Sequence, residues 1–90
     1  MSTAISIVVP VKDEAENVAP LAREIAHALA GESACEIVFV DDGSSDSTAQ
    51  TLKALKEKLP QLRVIQHGRN MGQSRAVRTG VRAARGDLVV

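Results

Sequence analysis

Tryptophan and tyrosine are absent from the 90-residue sequence, and Phe39 is its single aromatic residue. Binders of single-stranded nucleic acid stack bases on aromatic side chains, and this chain has almost none to offer. Net charge is absent too, because 11 basic side chains balance 11 acidic ones. A protein that grips a phosphate backbone usually carries a net positive field, so no nucleic-acid partner is expected. The single cysteine, Cys35, excludes an internal disulfide framework and a cysteine zinc cluster, and reads as a small buried thiol. No apolar run approaches the ~18–20 residues of a membrane span. The N-terminus lacks a basic stretch followed by a long apolar one, so no signal peptide is read.

What is present is ordinary globular material. Hydrophobic residues make up 44% and charged residues 24% of the chain. The length allows one domain at most, here residues 1–90, with a thin core. The charges are unevenly placed. Residues 1–60 hold five basic and ten acidic side chains, a balance of −5; residues 61–90 hold six arginines and one acid, a balance of +5.

Short, β-branched, nearly continuous apolar runs alternate with segments of helical period. Strands are expected at Ala4 to Pro10, Glu36 to Val40, Arg63 to Gln66, and from Asp87 onward. Runs of this kind suit a parallel sheet covered on both faces. Helical stripes run through Val18, Leu21, Ala22, Ile25 and Leu29, through Leu52, Leu55 and Leu59, and through Ala76, Val77, Val81 and Ala84. Pro20 is tolerated in a first turn, which puts the first helix start near Asn17, with Glu14 in the preceding loop. Ser47-x-x-Gln50 matches a capping box for the second helix. Gly31 and Pro60 punctuate the ends of helices one and two. The expected fold class is therefore α/β: a three-layer, mostly parallel βαβαβαβ sheet with right-handed crossovers. Leu88-Val89-Val90 starts a strand without a turn or polar exit, so the chain is read as the N-terminal piece of a longer protein.

Three segments could carry chemistry. Pro10-Val-Lys-Asp-Glu-Ala-Glu-Asn17 leaves the carboxyl end of the first strand, where ligands of open α/β sheets sit. It reads equally as an acidic, capped helix start. No Gly-x-Gly-x-x-Gly follows that strand and no Walker loop exists, so dinucleotide and P-loop sites are not supported. Val40-Asp41-Asp42-Gly43-Ser44-Ser45-Asp46 leaves the second strand. A carboxylate there can accept hydrogen bonds from a ribose or base, and Gly43 permits a tight turn. The plainer reading is a turn followed by a cap. A phospho-receiver would need a carboxylate after the third strand, which ends in Gln66-His67. Arg69-Asn-Met-Gly-Gln-Ser-Arg75 opens the third helix, and a glycine loop flanked by arginines suits a diphosphate. Arg75, Arg78, Arg82 and Arg85 then recur at three- and four-residue steps, as a solvated face or as a contact for anionic substrate or head groups. His27 and His67 have no metal or triad spacing and read as structural.

Together these segments resemble the family 2 glycosyltransferases of GT-A fold. Ile7-Val-Val-Pro10 with Glu14-Ala-Glu-Asn17 resembles that family's first signature. Val40-Asp-Asp-Gly-Ser-Ser-Asp-Ser-Thr48 resembles its second and is the most specific match. Asn70-Met-Gly72, Ala76, Gly80 and Ala84-Ala-Arg-Gly-Asp87 resemble its third. Gln73 and Ala76-Val-Arg-Thr-Gly80 are most similar to the dolichyl- or polyprenyl-phosphate sugar transferases.

The resemblance implies a donor site for a UDP- or GDP-linked sugar and a lipid-phosphate acceptor, with displacement at the anomeric carbon and inversion. It places Pro10, Lys12, Glu14, Asp41, Asp42, Gly72, Gln73 and Arg75 beside the nucleotide. Asp42 would accept from the base, with Asp41 its structural neighbour. Lys12-Asp13 departs from the commoner Tyr-Asn and removes a stacking surface. The implied Mg²⁺ or Mn²⁺ would be bound by an Asp-x-Asp beyond Val90, so no catalytic or metal residue is assigned here and the chain alone is expected to be inactive. A cytoplasmic enzyme at the inner membrane face, and self-association through an open sheet edge, are the further expectations. The competing account is a noncatalytic α/β module that binds a nucleotide or a protein.

Overall fold

The computed structural model describes residues 3–30 and 35–90. The elements run β1 (Thr3–Val11), α1 (Ala15–Ala28), β2 (Cys35–Asp41), α2 (Thr48–Lys58), β3 (Leu62–Gln66), α3 (Gln73–Ala83) and β4 (Gly86–Val89). The four strands form one sheet in the order β3-β2-β1-β4, and every neighbouring pair is parallel. The chain therefore steps outward from β1 to β3, then crosses back to the far side of β1. That reversal leaves a crevice at the carboxyl ends of β1 and β4.

Three layers follow from the strand alternation. Ile37 and Phe39 point to one face, where they pack with Val11 and Leu62 against Val18 and Ala22 of α1 and Leu52 and Leu55 of α2. Val38 and Val40 point to the other, where they pack with Val8, Ile65 and Ala76 of α3. β2 is central, and Ile37 through Val40 are wholly buried. Each such side chain contributes roughly 1.5–3 kcal/mol of burial.

The expected α/β order holds, and several details differ. α1 begins at Ala15, not near Asn17, and Pro20 lies inside it rather than in its first turn. Its start is stabilised from outside: the Glu14 N–H donates to Thr48 Oγ1 at 3.0 Å and the Ala15 N–H to Asp46 Oδ2 at 3.3 Å. The helix therefore does not need Asn17 as its cap. Ser47 is the N-cap of α2, but no capping box forms. Asp46 supplies the acceptor instead, taking the Thr48 N–H at 2.9 Å and the Thr48 hydroxyl. In α3 the expected stripe through Val77 and Val81 is wrong. Ala76 and Gly80 are the buried pair, while Val77 and Val81 are 38% and 46% exposed. The smallest residues face the sheet because α3 lies close: a Cβ on Gly80 would sit 2.4 Å from Val8 Cγ1. β4 starts at Gly86, one residue before the expected Asp87. Cys35 is half-buried rather than buried. Gly31 lies outside the described residues.

A polar staple fixes the start of β4. The buried Glu36 carboxylate accepts from Ser6 Oγ at 2.6 Å, the Arg85 N–H at 2.6 Å and Arg63 Nη1 at 2.8 Å. Ser6 Oγ in turn accepts the Gly86 N–H at 2.8 Å. Burial pushes the Glu36 carboxyl up, but the Ser6, Arg85 and Arg63 donors outweigh it and hold the group below its usual range.

Candidate donor-nucleotide site

At the carboxyl edge of β1 and β2 the sheet opens into a cavity of about 150 Å³, lined by Pro10, Val11, Lys12, Glu14, Asp42 and Gln73. Five of the eight residues singled out from the sequence thus share one wall, although they come from three separate segments. Val11 is an addition: it ends β1, one residue past the expected strand end at Pro10, and was not singled out as a site residue. Asp41, Gly72 and Arg75 lie outside this wall.

Asp42 is the hub. Its Oδ1 accepts the Met71 N–H at 2.9 Å and lies 2.8 Å from His67 Nδ1, and its Oδ2 accepts the Gly72 N–H at 2.9 Å. An ionised carboxylate only accepts, so Nδ1 carries the proton, and in the neutral ring Nε2 then accepts from the Thr79 hydroxyl at 2.9 Å. The His67 hydrogen bond, then the Met71 N–H, hold the Asp42 carboxyl below its usual range against the opposing push of burial. His67 therefore braces a site carboxylate. Its position just past β3, beside the carboxyl end of β2, was the available signal, since the register sets Asp41 against Gln66.

Asp41 lies wholly buried under the α1–α2 face, one residue and one side of the strand away. Its Oδ1 accepts the Ser44 N–H at 3.1 Å, and its Oδ2 has no hydrogen-bond partner. Gly43, between this turn and the arginine loop, has φ 72°, and a Cβ there would lie 2.4 Å from the Arg69 carbonyl carbon and the Asn70 nitrogen. Only glycine lets these two loops touch.

Gly72 caps α3 with φ 96° and ψ 152°. Arg75 lies past it, facing a separate shallow depression with Arg69, Asn70 and Met71. That depression joins two guanidinium groups to a helix N-terminus, a setting that favours an anion.

The loops that follow β1 and β2 close on one another. The Asp13 N–H donates to Ser44 Oγ at 2.8 Å, while Asp13 Oδ1 accepts the Ser45 N–H at 2.7 Å and the Asp46 N–H at 3.3 Å. Asp46 and Thr48 return the exchange at the start of α1. The Ser45 N–H, with Lys12 next, holds the Asp13 carboxyl low; the Thr48 hydroxyl and N–H do the same for Asp46. Asp13, Ser44, Asp46 and Thr48 lie in the segments singled out from the sequence, but none was assigned a site role there.

A parallel α/β sheet with a polar cavity at the carboxyl edge of β1 and β2 and a basic loop beside it is the architecture of the GT-A fold. The chain belongs to glycosyl transferase family 2, whose profile matches residues 6–90. It is 36% identical over 90 residues to the dodecaprenyl-phosphate galacturonate synthase of Rhizobium johnstonii, covering 98% of this chain and 27% of that one. It is 39% identical over 88 residues to the undecaprenyl-phosphate 4-deoxy-4-formamido-L-arabinose transferase of Salmonella choleraesuis, covering 96% and 27%. Among solved structures it resembles S. aureus TarS with UDP at TM-score 0.83 and 28% identity, covering 98% of this chain and 26% of that one. It resembles a Pyrobaculum calidifontis mannosyltransferase with GDP-Man and Mn²⁺ at TM-score 0.74 and 25% identity, covering 99% and 26%. The chain thus spans about a quarter of the length of these relatives.

Proposed function

We propose that the chain forms the nucleotide-binding part of a glycosyltransferase that moves a sugar from a nucleoside diphosphate sugar to a polyprenyl or dolichyl phosphate. The observation that carries this reading is the convergence of Pro10, Lys12, Glu14, Asp42 and Gln73 on one cavity at the carboxyl edge of β1 and β2. The relatives named for polyprenyl-phosphate sugar transfer support the acceptor class. The cavity, about 150 Å³, is well below the ~300–1,000 Å³ of a complete ligand site. In our reading the cavity takes part of a nucleotide and the basic depression lined by Arg69, Asn70, Met71 and Arg75 takes its diphosphate.

A divalent cation accompanies GDP-Man in the mannosyltransferase structure. Among the described residues no group of three or more His, Cys, Asp or Glu could hold one. The residues present do not fit a metal centre, and no step is assigned to a metal here. In our reading Mg²⁺ or Mn²⁺ in the whole enzyme is held by other residues.

No helix among the described residues is long and apolar enough to cross a membrane. The acceptor class supports action at the cytoplasmic membrane face, and the exposed Arg75, Arg78 and Arg82 on α3 agree with it. The half-open edge at β4, with Val89 and Val90 exposed, supports self-association of the chain.

Titration of the isotope-labelled chain with UDP, GDP and their sugar-linked forms tests the reading. The expected result is saturable shifts at the amides of Lys12, Glu14, Asp42 and Gln73. If no nucleotide moves those amides, the donor-site reading is wrong.

A further inference from the structure

Asp13 is the one non-glycine residue with positive φ among the described residues, at 51°. It sits between Lys12 and Glu14, both of which line the cavity, while its own side chain does not. Its left-handed backbone is sparsely populated by L-residues, though aspartate tolerates it better than most. Such a conformation persists where its surroundings hold it.

Here the surroundings are the 44–48 loop. Asp13 gives its N–H to Ser44 Oγ and takes the N–H groups of Ser45 and Asp46 on Oδ1. The Ser45 hydroxyl reaches the same oxygen at 3.3 Å. The other oxygen meets Lys12 Nζ at 3.1 Å. One residue thus ties the two loops together and pairs with the Lys12 side chain.

We propose that Asp13 is a positioning residue: its carboxylate latches the 44–48 loop to the β1–α1 turn and sets Lys12 and Glu14 in the cavity wall before any nucleotide arrives. This rests on the donor-site reading for its purpose, but the latch itself can be tested without a ligand. Asparagine in its place keeps an acceptor oxygen and tolerates the left-handed backbone. Glycine keeps the backbone and removes the acceptor.

The test is amide hydrogen exchange, with UDP and GDP titrations, on the chain and on Asp13→Asn and Asp13→Gly. Protection at Ser45 and Asp46 is expected to fall roughly 10- to 100-fold in Asp13→Gly, the scale of losing a charge-assisted hydrogen bond. The Ile37 and Phe39 amides at the centre of the sheet are expected to keep their protection, since the opening is local. Asp13→Asn keeps a neutral acceptor of about half the strength, so its loss of protection at Ser45 and Asp46 is expected to be roughly 3- to 10-fold. Nucleotide affinity is expected to follow the same order. Because glycine adds no Cβ, Asp13→Gly is the variant that folds even where Asp13→Ala does not. Unchanged exchange at Ser45 and Asp46 in Asp13→Gly overturns the latch. So does equal loss at Ile37 and Phe39, or an Asp13→Asn variant that behaves like Asp13→Gly. If the parent chain binds neither nucleotide, the donor-site reading fails, and the exchange result still decides the latch.

Discussion

Three glycines near the cavity allow backbone strain and steric overlap to be separated. Gly68 has an ordinary φ and nothing within 4 Å of an added Cβ. Gly72 has φ 96° but equally open space. Gly43 has φ 72° and two backbone atoms of the arginine loop 2.4 Å from the Cβ position. Gly68→Ala is therefore expected to change stability by less than about 0.5 kcal/mol. Gly72→Ala carries strain alone, about 1–3 kcal/mol for a region that is essentially glycine-only. Gly43→Ala carries about 1–2 kcal/mol of left-handed strain and a further ~1–3 kcal/mol of overpacking. The sum at Gly43 is about 2–5 kcal/mol, against a total of ~5 kcal/mol at the lower end for small domains.

The overlap at Gly43 also has a specific direction. The atoms it meets belong to the backbone, so no side-chain rotation relieves it. Restoring contact from 2.4 Å to an ordinary ~3.4 Å separation moves the 69–70 backbone by about 1 Å. A displacement of that size would carry the Met71 and Gly72 N–H groups, now both 2.9 Å from Asp42, out of hydrogen-bond range. Gly43→Ala is thus expected to release the loop from Asp42 as well as to lower stability. Urea and thermal unfolding of the three variants, followed by circular dichroism, give the ranking. At about 4–8 °C per kcal/mol, Gly43→Ala lowers Tm by at least ~8 °C. A Gly43→Ala chain as stable as Gly68→Ala, with unshifted Met71 and Gly72 amides, would refute the reasoning.

Two other predictions concern packing and pH. Gly80→Ala gains about 1 kcal/mol of helix propensity but places a Cβ 2.4 Å from Val8 Cγ1 and 3.1 Å from Val40 Cγ2. Overpacking of ~1–3 kcal/mol wins, so a net loss of up to about 2 kcal/mol is expected, and a higher Tm would contradict it. Asp13, Glu36, Asp42 and Asp46 all have carboxyls held below their usual range. Their folded values are lower than their unfolded ones, so the stability they supply is complete above the unfolded range of ~4 and disappears as pH falls through the folded values. Urea unfolding between about pH 3 and 7 should show a plateau near neutrality and a decline below ~4; stability that rises on acidification would contradict the assigned partners.

How much of this was legible in the sequence depends on how far apart the interacting residues lie. β2 was plain from Ile37 to Val40, because a short apolar run needs only its own composition to declare a doubly covered strand. The segments around the cavity were legible for a related reason: residues leaving parallel strands share one edge, which singled out 10–17 and 40–46, while Pro10, Glu14 and Asp42 individually came from the family resemblance. The failures lie where a local rule was overruled by a distant partner. Asn17 is a good cap by type, yet α1 takes its acceptors from Thr48 and Asp46, over thirty residues away. The α3 stripe was misassigned because valines outrank glycine on any hydrophobicity count. Close approach of the helix to Val8 and Val40 reversed that order and put Gly80 inside.

His67 and Asp13 show the limit most clearly. Neither was assigned a bracing role from sequence, and each braces the site through a partner far along the chain. Asp42 is 25 residues from His67, and Ser45 is 32 from Asp13. Their roles follow once the register between β2 and β3, and the side-by-side exit of β1 and β2, are known. The residues facing the cavity are thus a property of strand order. The residues that hold them still are a property of how the loops satisfy one another's N–H groups, which no single segment of sequence contains.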